Sequence, residues 1–357
     1  MSNSIAITGN FDGGNPRDPG NIVETGPNAF TIIPFSEDND PNYKFRLDVK
    51  VFNNTNEIQK LDLTIDWQEA RFNHLRNYVY VRHAKDPDWI FMALAVSGEQ
   101  ARGQIDLHPG ETYICLHPKY NYEDYINFIH RIPENSFIAK ENIGQTKEKR
   151  DLWLVKISDE SAQPDKKIML VSRIHPYETA GSYNAEGIVD MYLQKKSDFL
   201  PETLDRFKIY LLPMANPDGV YNGLCKLTAP DGIDLHRDFD LSAPLASLLI
   251  NKIDDIQPHI YCEFHNWMWP RSDGLYYLNR LQARRFLKSF PSQKQYRKNW
   301  KTMHKKRFFA LAPIGLKKYC RDTFGSVCLS LEFPWHCRSV ANMKTLGRNT
   351  LLALARL

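Results

Sequence analysis

The chain has 357 residues, 42% of them apolar and 25% charged, with a formal net charge of +4. That composition fits an ordinary folded protein with room for two domains, and so small an excess of cations does not by itself point to a nucleic-acid partner. No run of about 18 apolar residues occurs, so no membrane-spanning helix is expected. The first residues, Met1 to Asn28, are polar and rich in Gly, Asn and Asp, without the basic start and apolar centre of a secretory signal. Six cysteines lie at Cys115, Cys225, Cys262, Cys320, Cys328 and Cys337, none in a C-x-x-C pair. They read as buried thiols in a reducing, cytoplasmic compartment rather than as a disulfide framework.

In chain order, residues 1–28 read as irregular. From Phe30 to about Leu116 the apolar residues alternate with period two. Phe45, Leu47, Val49 and Val51 form one face, Leu61, Leu63 and Ile65 another, and Val79, Val81 and Phe91 to Val96 continue the pattern. Asn53-Asn54 and His108-Pro109-Gly110 supply turns between these runs. Short alternating strands with regular turns predict an antiparallel β-sandwich, placed at residues 1–120. Tyr122 to Arg131 reads as a short amphipathic helix inside a linking stretch, 121–150, that begins the second domain. Beyond it, at 151–357, strands at about 152–157, 167–172, 207–212, 259–264 and 326–333 alternate with helical patterns at 182–194, 243–254, 293–305 and 340–356. Such alternation predicts an α/β domain with a mainly parallel, mixed, twisted sheet and helices on both faces.

The second domain carries the chemistry. His175-Pro176-Tyr177-Glu178 follows the strand Lys167 to Val171 and precedes a helix. A His and a Glu three residues apart can aim nitrogen and oxygen ligands at one ion, and zinc accepts both. His265 closes the apolar run that begins at His259, and Glu332 lies in the β-prone run Ser326 to Phe333, closed by Pro334. Asn216-Pro217-Asp218-Gly219 is a turn signal, and Asp234-Leu235-His236-Arg237-Asp238 follows it. All these candidates sit at or just after the C-terminal ends of predicted strands, where open α/β sheets bind ligands.

In the order and approximate spacing of these stretches the chain resembles the M14 zinc carboxypeptidases. The likeness covers about residues 140–357 and includes Leu212 to Gly219, Gly232 to Phe239 and Ser330 to Phe333. The β-rich first part, joined through Leu116 to Tyr122, is similar to the cytosolic carboxypeptidase subgroup. The resemblance implies one zinc ion held by His175, Glu178 and His265, with a peptide or protein C-terminus as substrate. It implies that Glu332 is the general base and Arg237 the anchor for the terminal carboxylate. The plain alternatives are a hydrogen-bonded core histidine, a solvated edge-strand glutamate, and a surface ion pair of Arg237 with Asp234 or Asp238.

The chain departs from the family at two positions. His236 stands where Asn precedes the arginine, so substrate affinity is expected to weaken as His236 loses its proton. Lys226 stands where the subgroup has an arginine that stabilises the oxyanion, and it offers charge without the planar fork. Tyr276, Tyr277 and Tyr319 are candidates for the family's mobile pocket tyrosine. Asp218 or a backbone carbonyl is expected to orient a ligand histidine. The stretch Gly274 to Arg321 has no Asp or Glu but many cations, among them Arg280, Arg284, Lys305 and Lys317. It reads either as a solvated basic face or as a positive rim drawing acidic peptide tails. Two further readings are a zinc amidase acting on cell-wall peptides or N-acyl amino acids, and an inactive relative serving as a binding module. The sequence is silent on oligomeric state.

Overall fold

Period-two alternation builds the first of two units in the computed structural model, a unit formed by residues 1–122, 219–226 and 335–340. The structure describes residues 4–37, 40, 44–68, 76–194, 199–237, 242–267, 272–291, 300–304 and 315–357. The strands of this unit are β1 (Ile5–Thr8), β2 (Ile22–Gly26), β3 (Ala29–Ile32), β4 (Asp48–Asn53), β5 (Gln59–Asp66), β6 (Tyr78–His83), β7 (Ile90–Ala93), β8 (Ala95–Ser97), β9 (Gln100–Leu107) and β10 (Gly110–Cys115). They form two five-stranded sheets, ordered β1-β4-β10-β6-β7 and β2-β3-β5-β9-β8. Neighbours are antiparallel except β3 and β5, which run parallel. In β5 the side chains of Leu61, Leu63 and Ile65 are buried while Lys60 and Asp62 are exposed. Asn53 of one sheet donates to the Leu107 carbonyl of the other at 2.9 Å.

The expectation of an irregular start is corrected, because β1 and β2 both lie within it. Each is short, four and five residues, and surrounded by Gly, Asn, Asp and Pro that mask it in the sequence. β1 pairs with β4 and β2 with β3, so cross-strand hydrogen bonding completes them as strands. Five of the six cysteines are buried thiols, whereas Cys337 is exposed.

The second unit, residues 123–218, 227–334 and 341–357, holds one eight-stranded mixed sheet. Its strands are β11 (Ile138–Gln145), β12 (Asp151–Ile157), β13 (Lys166–Ser172), β14 (Phe207–Leu212), β15 (Ile260–His265), β16 (Asp273–Tyr277), β17 (Trp300–His304) and β18 (Val327–Glu332), in the order β11-β12-β14-β13-β15-β18-β16-β17. The four central strands, β14, β13, β15 and β18, run parallel. The helices are α1 (Tyr122–Arg131), α2 (Thr179–Leu193), α3 (Phe199–Leu204), α4 (Pro217–Tyr221), α5 (Pro244–Ile256), α6 (Arg280–Ser289), α7 (Leu316–Phe324) and α8 (Val340–Leu354). A helix expected at 293–305 is corrected in part. Residues 300–304 form β17, paired parallel to β16, and the rest of that span lies outside the described residues. Pairing with a neighbour overrides the weak helical pattern of a cation-rich stretch.

Alternation in the central strands sends apolar side chains to both faces. On one face Met169, Val171, Tyr261 and Cys328 share a core with Leu249 and Ile253 of α5 and Leu316 and Cys320 of α7. On the other face α2 approaches so closely that a Cβ on Gly181 would lie 2.9 Å from Cβ of Ser172. Helices α2 and α8 also touch backbone to backbone. A Cβ on Gly187 would lie 2.0 Å from the Lys344 carbonyl oxygen, and one on Gly347 would lie 2.1 Å from that of Asn184. Asn184 closes this contact by donating to the Met343 carbonyl at 2.6 Å. Overpacking of this kind costs about 1–3 kcal/mol. Gly187→Ala and Gly347→Ala should each destabilise the second unit by that amount, seen as a lower urea midpoint at unchanged slope, whereas an unchanged midpoint would contradict the close approach.

Candidate active site

Three parallel strand ends supply the site. β13 ends at Ser172, β15 at His265 and β18 at Glu332. Register sets Ser172 beside Phe264 and His265 beside Glu332. Adjacent strands lie about 4.8 Å apart, so residues in register on neighbouring strands are within side-chain reach. Leaving β13, the chain turns through Arg173, whose φ of 58° lies in the left-handed region. That conformation is costly for a residue with a long side chain and needs outside support. Arg173 is fully buried, and its Nε donates to the Pro176 carbonyl at 2.8 Å. Nη2 donates to the same oxygen. The loop bearing His175 and Glu178 is thereby pinned from beneath. The Tyr177 hydroxyl adds a bond to the Asn266 carbonyl at 2.9 Å.

Glu178 is the centre of the arrangement. One of its carboxylate oxygens lies 2.9 Å from Nδ1 of His175, and the other lies 2.7 Å from Nδ1 of His265. One ligand atom from each of the three residues falls within 4.8 Å of the others, and all three residues are buried. The remaining ring nitrogens face two more buried carboxylates. Nε2 of His175 is 3.4 Å from Oδ1 of Asp234, and Nε2 of His265 is 3.3 Å from Oε2 of Glu263. Two imidazoles and one carboxylate are a zinc donor set, and a second carboxylate on the far nitrogen of each histidine fixes the tautomer that ligation needs. The residues fit that ion.

Electrostatics agree with a site built for positive charge. Burial alone would depress both histidines, but the Glu178 carboxylate outweighs it. His175 is pushed up, and His265 is pushed up to about 10. Burial works against the charged forms of Glu178, Asp234 and Glu263 too. Even so, the imidazoles hold Glu178 far down, His175 and Arg237 do the same for Asp234, and Lys317 does so for Glu263.

The Asp234–Arg237 turn lies against the same cluster, anchored by the buried Leu235. The carboxylate of Asp234 accepts from the backbone N–H of His236 at 2.9 Å and pairs with Nη1 of Arg237 at 2.6 Å. The Arg237 side chain is 53% exposed, so it can meet a solute while this pair persists. The His236 ring packs 4.9 Å from His265 and 5.4 Å from His175. Burial and then the charge of Lys317 hold His236 well below the usual histidine range. The expectation of a proton lost across the range of an ordinary histidine is therefore corrected, since this ring is neutral there.

Glu332 is partly exposed and lies opposite Gly274 on β16. A Cβ on Gly274 would come within 2.8 Å of both Cβ of Glu332 and the Trp267 ring, so only glycine leaves room there. Lys226 belongs to the first unit. Its backbone N–H donates to Glu37 at 2.7 Å and its ammonium lies 4.6 Å from the Phe45 ring centre. Asp218 does not orient a ligand histidine. It accepts from Thr146 Oγ1 and from Arg150 Nη1, each at 2.7 Å, and so clamps a loop. Among the tyrosine candidates, Tyr319 is bonded to Asp254 at 2.6 Å, whereas burial and then the charge of Glu332 push Tyr276 up. Lys294, Arg297, Lys298 and Lys305 to Arg307 of the basic stretch lie outside the described residues, as does Asp238.

The sequence reading named Asp234 as an ion-pair partner and Lys317 as one cation of the basic stretch, and gave Glu263 and Ser330 no role of their own. A signal was available for one of them. Glu263 and His265 are two apart in a strand, so they share a face, and a carboxylate in so apolar a run needs a partner.

Residues 122–248 match the family model described as Peptidase_M14, zinc carboxypeptidase. Cytosolic carboxypeptidase 6 of Mus musculus is 26% identical over 150 residues, 40% of this chain and 27% of that protein. Cytosolic carboxypeptidase 2 of Homo sapiens is 27% identical over 165 residues, 41% of this chain and 18% of that protein. The chain thus spans about a quarter or less of the length of these curated relatives. A metallo-carboxypeptidase from Burkholderia cenocepacia has the same fold, with a TM-score of 0.80 and 20% identity over 98% of both chains. So does a metallo-carboxypeptidase from Pseudomonas aeruginosa, solved with (2-guanidinoethylmercapto)succinic acid, at a TM-score of 0.80 and 16% identity over 98% of both. Residues 122–248 thus match the M14 zinc carboxypeptidase family, and the chain shares the fold of the metallo-carboxypeptidases. Carboxylates behind ligand histidines typically contribute about 10–100-fold to metal affinity. Asp234→Asn should weaken zinc binding by that factor in a chelator competition, and undiminished affinity would refute the orienting role.

Proposed function

We propose that the chain is a zinc-dependent metallocarboxypeptidase that removes residues from the C-terminus of peptides or proteins. The observation that carries this reading is the meeting of Glu178 with Nδ1 of both His175 and His265. The register of Glu332 beside His265 supports it. Bound there, a zinc ion supplies Lewis acidity for the scissile carbonyl and lowers the pKa of water to about 7.

The residues divide the remaining work. Glu332 takes the proton of the attacking water and delivers it to the departing amine. Arg237, with one nitrogen on Asp234 and half its side chain exposed, offers its other donors to the terminal carboxylate of the substrate. His236, a neutral ring whose Nδ1 faces Glu263, offers its other nitrogen to the substrate beside Arg237 as an acceptor. The curated relatives are named cytosolic, which favours a cytoplasmic setting. Among the described residues no helix is long and apolar enough to cross a membrane.

For substrate class we favour acidic C-terminal tails. Arg280 and Arg284 line a cavity of about 510 Å³ together with Tyr277, Leu287 and Thr302. Tyr277 pairs with Leu329, about 10 Å back along β18 from Glu332, so the preference rests on the positive charge of the Gly274 to Arg321 stretch and not on a contact of this cavity with the site. Such a positive field raises the local concentration of anionic peptides, and does so less at high salt.

Two measurements follow. Glu332→Gln should keep its zinc and lose about 10²–10⁴-fold in kcat. A metal-replete Glu332→Gln of full activity would reject the role. In a mixed peptide library read by mass spectrometry, one C-terminal residue at a time should disappear. Acidic ends should go fastest, and phenanthroline should stop the reaction until zinc is restored. Cleavage of N-acyl amino acids with peptides untouched would replace the peptidase reading with an amidase.

A further inference from the structure

A second group of potential ligands adjoins the first. His236, Glu263 and His265 also bring one ligand atom each to within 4.8 Å of one another. It shares His265 with the first group, through the other nitrogen of the same ring. Glu263 is 1% exposed, and its Oε2 gathers four donors. Lys317 Nζ and Ser330 Oγ each lie 2.9 Å away, His265 Nε2 lies 3.3 Å away and His236 Nδ1 3.5 Å. Lys317 comes from α7 and is 5% exposed, and Ser330 is the register partner of Glu263 on β18. Lys317 also donates to the Ser330 hydroxyl.

We infer that Glu263 is the positioning residue for the third metal ligand, and that the ammonium of Lys317 fills the cation position of this second group. The inference rests on the zinc reading above. Stability gives no reason for such a pair, because well-packed apolar side chains of similar volume usually serve a core as well as a buried ion pair. Position does give a reason. Glu263 accepts from Nε2 of His265, which leaves Nδ1, on the Glu178 side, as the nitrogen that an ion takes in exchange for a proton. A buried carboxylate needs a charge beside it, and Lys317 supplies one that cannot dissociate as a metal does. With that ammonium 2.9 Å from Glu263, a second divalent ion would meet like charge at close range. The centre therefore takes one ion.

The test uses the full chain, zinc alone as the probe and chelator competition as the readout. The wild type should bind one equivalent. The double variant Glu263→Met/Lys317→Met removes both charges together. Its metal-free form should melt within a few degrees of the wild type, while its zinc dissociation constant rises about 10–100-fold. Glu263→Gln/Lys317→Met keeps an acceptor for Nε2–H and should recover most of that loss. Wild-type zinc affinity in the folded double-methionine variant would overturn the positioning role, as would equal affinity in the two double variants. Two equivalents in the wild type would overturn the place given to Lys317. A wild type that binds no zinc would remove the zinc reading itself, and this inference with it.

Discussion

One carboxylate bridging two imidazoles sets the demands on everything around it. Glu178 reaches Nδ1 of His175 on its own loop and Nδ1 of His265 from a strand 87 residues further along the chain. Three buried carboxylates, those of Glu178, Asp234 and Glu263, crowd into this small volume. Arg237 and Lys317 balance two of them. The third is left to the two imidazoles, which the field pushes toward their protonated forms. A divalent ion meets the same need with neutral imidazoles, which is how ligand sets of this kind exchange protons for metal.

Such proximity has to be held by the backbone, and the parallel sheet holds it. Strands β13, β15 and β18 end side by side in fixed register, so their last residues are neighbours before any side chain is placed. Arg173 then forces a left-handed turn, and its buried guanidinium holds the Pro176 carbonyl. The strain is local and the support comes from the same residue. Helix α2, which begins directly after Glu178, packs backbone to backbone against α8 at two glycines. Rigid elements place ligands more accurately than loops do, and two of the four main site residues, His265 and Glu332, are strand residues.

Much of this was legible in the sequence, for physical reasons. Buried parallel strands read as short continuous apolar runs, and Lys167 to Val171, Phe207 to Leu212 and His259 to Phe264 do so. The helix at Tyr122 to Arg131 has an apolar stripe, with acidic residues in its first turn and basic ones in its last. The site motifs lie at strand ends, where the fold itself creates a crevice. Other parts left a fainter trace. β16 and β17 are edge-side strands stabilised by pairing, and β11 alternates polar residues on a mostly exposed face. Asp234 and Glu263 were overlooked as second partners of the histidines because each sits beside a louder motif. Lys317 was lost among the surrounding cations, and only its burial sets it apart.

X-ray absorption at the zinc edge, on protein purified with one equivalent of metal, tests the central claim most directly. The account predicts two imidazole nitrogens at about 2.0–2.1 Å and a carboxylate oxygen at about 2.0–2.2 Å. One imidazole should vanish from the signal in His265→Ala. A sulfur shell at about 2.3 Å, or a spectrum indifferent to that substitution, would place the metal elsewhere and contradict the account.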